Sequence, residues 1–592
     1  MTFKVVQPAG RSAEKTAGYR IKVPQKLHLP VKINLFPSRP DAEEASRNRL
    51  FAVGAIFAVA FLVVSLKLID ASIYAPQHKL YLEPSRTIAT LPTKQQLRAD
   101  IVDRNGELIA SSLPITSLCA RPKLIRDFSA AAFLVADVLP ETSAAAIQAE
   151  LERKKDYVFL KRHITPSQHK ALLGLGLPGL CFEKEQRRIY PQGPLAAHVA
   201  GFTNIDGSGL GGAELSFNDV LREREEPLAL SIDLRIQRIV RDEVRFAIEK
   251  FSAIGGVGLM MDIHTGEFLA MVSLPDFDPN DVGSASEDSR RNQATLGTYE
   301  MGSTFKLITA AQALQTGEAK LNSMFDATKP LKIGRFRIRD YHPQNRWLSL
   351  EEVLIHSSNI GAAKIAELGG VDQQKAFLHR LGMLKPVSVE LPEIGTPQLP
   401  RRWSETSMRT ISYGYGISVT PVHVASAISS LVNGGTLYQP TILKRLRNEA
   451  PSGRKVISED VSNKIRWLMR QVVVNGTGSK ADTNFYPVGG KTGSAEKRTK
   501  GGSGYDKNSN LVSFVAAFPI HRPRYALLVM VDGPKPRKDT FGFATGGWVA
   551  APAAQKIIER AAPTLGLAPV GLDAPARSTP ILKIAKHKAQ RS

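Results

Sequence analysis

From Leu50 to Leu66 the chain is apolar at every position except Gly54 and Ser65, and Leu68-Ile69 carry the run past Lys67. That length spans a bilayer as a single helix, so residues 50–69 are predicted to be a transmembrane segment. The run is longer than a signal-peptide core, starts some fifty residues in and lacks a nearby A-x-A site, which favours an uncleaved anchor. A helical period follows later: Ser231-Ile232-Asp233 can cap a helix on which Ile236, Ile239, Val240, Val244, Ala247 and Phe251 recur on one face. Two β runs, Val257–Ile263 and Phe268–Ser273, turn on Thr265-Gly266 as a hairpin. Three more strand runs lie around Lys491, at Leu511–Phe518 and at Tyr525–Val531. Two strands first and three last, with helices between, predict an α+β domain whose helices pack on an antiparallel sheet. Within the helical part, Phe305-Lys306-Leu307-Ile308-Thr309-Ala310-Ala311 is apolar on nearly every face, the pattern of a buried helix.

The ends of the chain read differently. Residues 1–49 are basic and Pro-rich without sustained periodicity, the pattern of a flexible tail. Residues 564–592 are Pro- and Lys-rich and are expected to be disordered. With 592 residues there is length for more than one domain. The formal net charge is +23, but it is spread along the chain and no nucleic-acid-binding motif accompanies it. Attraction to an anionic membrane surface or wall polymer accounts for it as well, and no nucleic-acid partner is expected. Lys32, Arg39, Arg47 and Arg49 precede the apolar run and Lys67, Lys79 and Arg86 follow it, a small bias towards a cytoplasmic N-terminus. Cys119 and Cys181 are the only cysteines. An oxidising compartment would permit a bridge, but we expect them to be unpaired.

Three short motifs carry candidate chemistry: Ser303-Thr304-Phe305-Lys306, Ser357-Ser358-Asn359 and Lys491-Thr492-Gly493. S-x-x-K alone is weak, since Ser12…Lys15, Ser167…Lys170 and Ser452…Lys455 satisfy it too. Ser303 would stand at the N-terminus of the buried helix, where free N–H groups favour negative charge. Lys306 lies one turn on, within reach of the Ser303 hydroxyl. A serine needs a base to take its proton, and a lysine becomes one when burial and a second cation lower its pKa. Lys491 is the candidate second cation. Gly489–Ser494 reads as an edge strand on which Lys491 and Gly493 face one way, Thr492 and Ser494 the other. Gly493 would let a substrate backbone lie close. A phosphate loop is excluded because G-x-x-x-x-G-K-[ST] would need Gly where Phe485 stands.

In this order the three motifs resemble the S-x-x-K, S-x-N and K-T-G set of the penicillin-interacting serine acyltransferases. Tyr299-Glu300-Met301-Gly302 is similar to the family's Y-E-P-G, with Met301 in place of Pro. Arg98–Gly106 resembles the R-G-x-I-x-D-R-N-G signature of class B high-molecular-weight penicillin-binding proteins, with Ala99 in place of Gly. Its Asn105-Gly106 pair is also a hairpin signal on physical grounds. Arg188-Ile189-Tyr190-Pro191, Gly209–Glu214 and Ser412–Pro421 resemble further elements of that family. His423 stands where the family usually has Gln, and we read it as structural.

The resemblance implies a fold class: α+β, a penicillin-binding serine transpeptidase domain preceded by a mixed α/β pedestal and one transmembrane helix. The implied layout is a cytoplasmic tail 1–49, helix 50–69, pedestal 70–230, transpeptidase domain 231–563 and a basic tail 564–592. It implies a peptidoglycan D,D-transpeptidase of the septal type, anchored once in the bacterial inner membrane with its catalytic domain outside the cytoplasm. Ser303 would be acylated by the stem peptide with release of D-Ala, and also by β-lactams. Lys306 would be the base, Ser357 a proton relay with Lys491, and Asn359 a ligand for the substrate amide. The N–H groups of Ser303 and Ser494 would form the oxyanion hole. Thr492, Gly493 and Ser494 would bind substrate, the Ser494 hydroxyl and Lys491 holding its carboxylate. No cofactor or metal is implied. Implied partners are stem peptides, the lipid-linked precursor, a membrane-embedded glycan polymerase and other division proteins. An elongation-type transpeptidase, a D,D-carboxypeptidase and a non-catalytic penicillin sensor or scaffold remain open readings.

Overall fold

The computed structural model describes residues 42–73, 97–334, 336–446, 451–499 and 504–570. The basic tails expected at 1–49 and 564–592 therefore lie mostly outside the described residues. The chain divides into two units, Met1–Pro92 and Thr93–Ser592. The first contributes helix α1 (Ala42–Ile73). Its described side chains, Phe51–Leu66, are exposed apart from a half-buried Ser65, and large apolar groups such as Phe51, Phe57 and Phe61 face outwards. Among the described residues, no helix is long and apolar enough to cross a membrane.

The second unit begins with the pedestal. Its strands are β1 (Ile101–Val102), β2 (Leu108–Ala120), β3 (Val158–Ile164), β4 (Leu180–Ile189) and β5 (Leu228–Ala229). They run in the order β3-β2-β1-β5, with β4 also paired to β2. Helices α2 (Phe128–Val138), α3 (Ala144–Leu151) and α4 (Pro166–Gly174) bury one side of it around Leu118, Val135, Ile147 and Leu172. The turn expected at Asn105-Gly106 joins β1 to β2, with Gly106 at φ 93°.

One expectation is corrected here: Cys119 and Cys181 form a disulfide. They face each other across the antiparallel β2–β4 pair, with Cα atoms 4.8 Å apart. Opposed positions on neighbouring strands bring Cβ atoms within bridging reach.

In the catalytic half, helix α5 (Leu234–Lys250) starts at the cap expected for it, Asp233, whose side chain accepts from the Arg235 N–H. There follow strands β6 (Gly255–Asp262) and β7 (Phe268–Leu274), and helices α6 (Phe305–Thr316), α7 (Asn359–Arg380), α8 (Pro421–Val432) and α9 (Glu459–Asn475). Strands β8 (Gly489–Arg498), β9 (Tyr505–Phe518) and β10 (Tyr525–Asp532) and helix α10 (Ala550–Thr564) complete it. The sheet order is β8-β9-β10-β6-β7, antiparallel throughout. Alternation along β9 sorts the two faces. Val512, Phe514 and Ala516 pack under α5 and α10, whereas Leu511, Val515 and Ala517 join the core that α6 to α9 build. Lys491 pairs with Val515, so the edge strand presents its lysine to the face carrying the inserted helices.

Candidate active site

A one-turn 3-10 helix, Gly302–Thr304, leads into α6 and carries Ser303. The Thr304 hydroxyl donates to the Met301 carbonyl at 3.0 Å and tightens this turn. Phe305 to Leu314 are all buried, as the all-round apolar pattern predicts. The turn is wedged between two backbones. A Cβ on Gly302, which sits at φ +56°, would come 2.4 Å from the Ser494 carbonyl oxygen. One on Gly414 would come 2.0 Å from the Gly302 oxygen. Only glycine allows these segments to close on the Ser303 turn.

Lys306 is 1% exposed and points back at the turn. Its ammonium donates to Ser303 Oγ at 2.9 Å, to the Ser357 carbonyl at 2.6 Å, to Ser357 Oγ at 3.1 Å and to Asn359 Oδ1 at 2.7 Å. The second motif is an elbow between two helices. Leu350–Ile355 ends, Ser357 takes a left-handed φ of 57°, and Ser358 caps α7 by accepting from the Gly361 N–H. The ordinary role of such residues, capping, thus falls to Ser358. Ser357 is left to project both its oxygens at Lys306, held in a conformation costly for a residue with a Cβ.

Asp340 locks this elbow, and the sequence reading missed it. Its carboxylate accepts from Ser358 Oγ (2.7 Å) and from the N–H groups of Asn359 (2.6 Å) and Ile360 (3.0 Å). A carboxylate is favoured at a helix N-terminus. The Asn359 amide in turn donates to the Arg339 carbonyl, which fixes its oxygen towards Lys306. Asp340 lies between strand Phe336–Ile338 and the elbow with no local signal of its own, so only the fold reveals it.

The third motif lies on β8. Lys491 is fully buried and donates to Ser357 Oγ at 2.9 Å, so Ser357 stands between the two lysines. The Thr492 hydroxyl pairs with that of Thr477 at 2.7 Å. At Gly493 a Cβ would meet Ser513 Oγ at 2.3 Å and the Met301 carbonyl at 2.9 Å. Glycine there lets the strand close on the nucleophile turn, a different close approach from the substrate contact the sequence suggested. Ser494 faces away from Lys491, and its Oγ accepts from the Gly546 N–H at 3.1 Å. Ser303, Lys306, Ser357, Asn359 and Lys491 are thus joined in one hydrogen-bonded cluster, with Thr492, Gly493 and Ser494 along its edge. His423 lies outside it, bonded to Thr420 Oγ1 and the Lys385 carbonyl at the start of α8.

Burial strongly disfavours the charged form of both lysines. The Lys491 pKa is pushed down to about 7 by desolvation. Lys306 is held well below the ordinary lysine value, first by desolvation and then by the Lys491 charge, with Asp340 pulling the other way. An amine that is neutral part of the time at 2.9 Å from a serine hydroxyl can take its proton. This is acyl-transfer chemistry. Among the described residues, no group of three or more His, Cys, Asp or Glu side chains is gathered to hold a metal.

Residues 256–559 match the penicillin binding protein transpeptidase domain, and residues 93–222 the penicillin-binding protein dimerisation domain. The probable peptidoglycan D,D-transpeptidase FtsI of Caulobacter vibrioides is 40% identical over 536 residues, 89% of this chain and 90% of that protein. Peptidoglycan D,D-transpeptidase FtsI of Escherichia coli K12 is 30% identical, over 80% of this chain and 85% of its own length. The crystal structure of penicillin binding protein 3 from Mycobacterium tuberculosis, complexed with aztreonam, shares the fold. Its TM-score is 0.64 at 22% identity, covering 81% of this chain and 98% of that one.

Proposed function

From the premise that this chain belongs to the penicillin-binding protein transpeptidases, we propose a division of labour for its buried Ser–Lys cluster. The protein is a peptidoglycan D,D-transpeptidase of the FtsI type, a cell-division enzyme that β-lactams bind. In our reading Ser303 attacks the D-Ala–D-Ala amide, forming an ester to the penultimate residue and releasing D-Ala. The ester then passes to an amine on a neighbouring stem peptide, which restores the Ser303 hydroxyl.

Lys306 takes the Ser303 proton. Ser357, within hydrogen-bonding distance of both ammonium groups, passes it towards the leaving amine. Lys491 and Thr492 hold the substrate's terminal carboxylate at the strand edge. Asn359 positions the substrate amide once it is released from Lys306. The N–H groups of Ser303 and Ser494 form the oxyanion hole, where fixed donors typically contribute about 10²–10³-fold. The Ser494 hydroxyl turns aside to Gly546, so its part falls to the backbone.

The observation that carries this reading is the 2.9 Å contact between the buried Lys306 ammonium and Ser303 Oγ. Labelled penicillin followed by peptide mapping should place the adduct on Ser303; an adduct on another serine overturns it. For location, the apolar run Leu50–Ile69 is proposed from its sequence as a single membrane anchor; the described side chains of α1 cover only Phe51–Leu66 of that run, all but Ser65 exposed. A retained N-terminus and protease access to the catalytic domain from outside the membrane are the expected results. The lipid-linked precursor, a membrane glycan polymerase and other division proteins are its proposed partners.

A further inference from the structure

Glu300 stands three residues before Ser303, is 8% exposed, and takes no part in the cluster described above. One of its oxygens, Oε1, accepts from four donors. They are the Gly416 N–H at 2.9 Å, Arg498 Nε at 3.2 Å and Nη2 at 2.8 Å, and the Tyr505 hydroxyl at 3.2 Å. These donors belong to three separate segments. Gly416 lies in the loop before α8, whose Gly414 presses on the nucleophile turn. Arg498 ends β8 and Tyr505 begins β9, where the two are direct partners across the hairpin. A single buried oxygen therefore grips both arms of the hairpin at one rung and ties them to the nucleophile turn and the neighbouring loop.

The strand geometry shows why such a tie is needed. β8 is an edge strand with β9 along one side only. Its inner end is fixed by Lys491 on Ser357 and by Ser494 against Gly302. Beyond Ser494 the strand continues for four residues, about 13 Å at strand spacing. The register shifts between Glu496 and Lys497, which pair with Asn510 and Asp506, so three residues of β9 are passed over there. Past this shift, Lys497 goes to Asp532 on β10 at 2.8 Å, while Arg498 goes to Glu300. Tyr415 adds a second, weaker brace: its hydroxyl accepts from the Glu496 N–H, and its ring meets that of Tyr505 at 5.3 Å.

We propose that Glu300 is a positioning residue for acyl transfer, a latch that sets the spacing between the Ser303 turn and the β8–β9 hairpin along which substrate lies. It touches no reacting atom. Its oxygen holds the hairpin at the separation that lets the strand edge present substrate to Ser303. Misplacement of about 1 Å by a remote change can cost about 10²-fold in rate. The inference rests on Ser303 being the acylated serine, and the experiment keeps the two apart.

The full-length protein, wild type and variants, is reacted with labelled penicillin. The fraction of sites acylated, the saturation constant and the limiting acylation rate are read separately. If the wild type gives no Ser303 adduct, the reading of the site itself falls. If it does, Glu300→Gln and Arg498→Met should each lower the limiting rate by about tenfold or more, while the fraction of sites that react stays near wild type. The double variant should be no slower than the worse single one, because both break the same tie. Arg498→Lys, which keeps a charge on Glu300, should recover part of the rate. Should Glu300→Gln fail to fold, Arg498→Met and Tyr505→Phe at the half-exposed hairpin side carry the test. Rates within about twofold of wild type, multiplicative losses in the double variant, or a smaller reacting fraction at unchanged rate would each overturn the latch.

Discussion

The chemistry of single residues here turns on which of two buried amines gives up its proton. Replacing Lys306 with Ala should lower acylation about 10²–10⁴-fold, the usual worth of a general base, in protein that still folds. Two other substitutions should move the pH profile in opposite directions. Lys491 disfavours the protonated form of Lys306, so Lys491→Ala raises the Lys306 pKa and shifts the rising limb of acylation to higher pH. Asp340 favours that protonated form, so Asp340→Asn should shift the limb to lower pH, even if the limiting rate also drops. Acylation rates against pH for both variants check this; shifts in the same direction would refute the coupling. Ser303 and Lys306 were legible in the sequence because one helical turn separates them, a spacing that local geometry converts directly into contact. Asp340 was not, because nothing beside it in the chain hints at a partner eighteen positions on, and Glu300 was noticed only as part of a family string.

At the level of elements, the period-two and helical patterns carried well where one face is buried. The helix after Asp233, the hairpin turning at Gly266 and the three late strands all stand close to where the hydrophobic pattern put them. The pattern also gave the alternation along β8 that sets Lys491 and Gly493 on one face, though not which side of the sheet that face is. It could not give register between distant strands. Cys119 and Cys181 are separated by 62 positions with three helices between, and only the β2–β4 pairing sets them opposite each other. A native bridge typically contributes about 2–4 kcal/mol, mainly by restricting the unfolded chain. Cys119→Ser should therefore lower the resistance of the pedestal to denaturant or protease by a shift of that order. Ser303 acylation should stay unchanged, because among the described residues the hydrogen bonds of the reacting cluster stay within the catalytic half.

For the molecule as a whole, two carboxylates tie the pedestal to the catalytic half through backbone N–H groups. Asp103, in the turn after β1, accepts from the Leu234 N–H at 3.1 Å and so helps start α5 in the other half. Glu393 reaches across from the catalytic half to the Gly212 N–H at 3.0 Å, and burial raises its pKa. Within the pedestal itself, Glu214 is completely buried between Arg98 at 2.6 Å and Arg188 at 2.7 Å. Removing one partner of such a cluster strands the others, a loss of about 3–5 kcal/mol. Glu214→Ala should destabilise the whole unit by that order in a denaturation experiment, whereas Glu214→Gln, which keeps the shape, should cost less. The sequence announced Arg98, Asp103, Arg188 and Glu214 as motif members, but neither Glu393 nor the meeting of the charges.

The glycines around the nucleophile also bear on how this enzyme can change under drug selection. At Gly302, Gly414 and Gly493 any side chain would strike backbone or packed atoms of the nucleophile turn or its wall. A substitution there would displace the turn that carries Ser303, the serine we propose is acylated, and turnover is expected to be lost with it. Mutational escape is closed on that side, because inhibitor and substrate approach the same serine held by the same backbones. The routes left open run through side chains that pace the closing of the site without touching the serine, so resistance here would be expected as a change in rate before a change in fit.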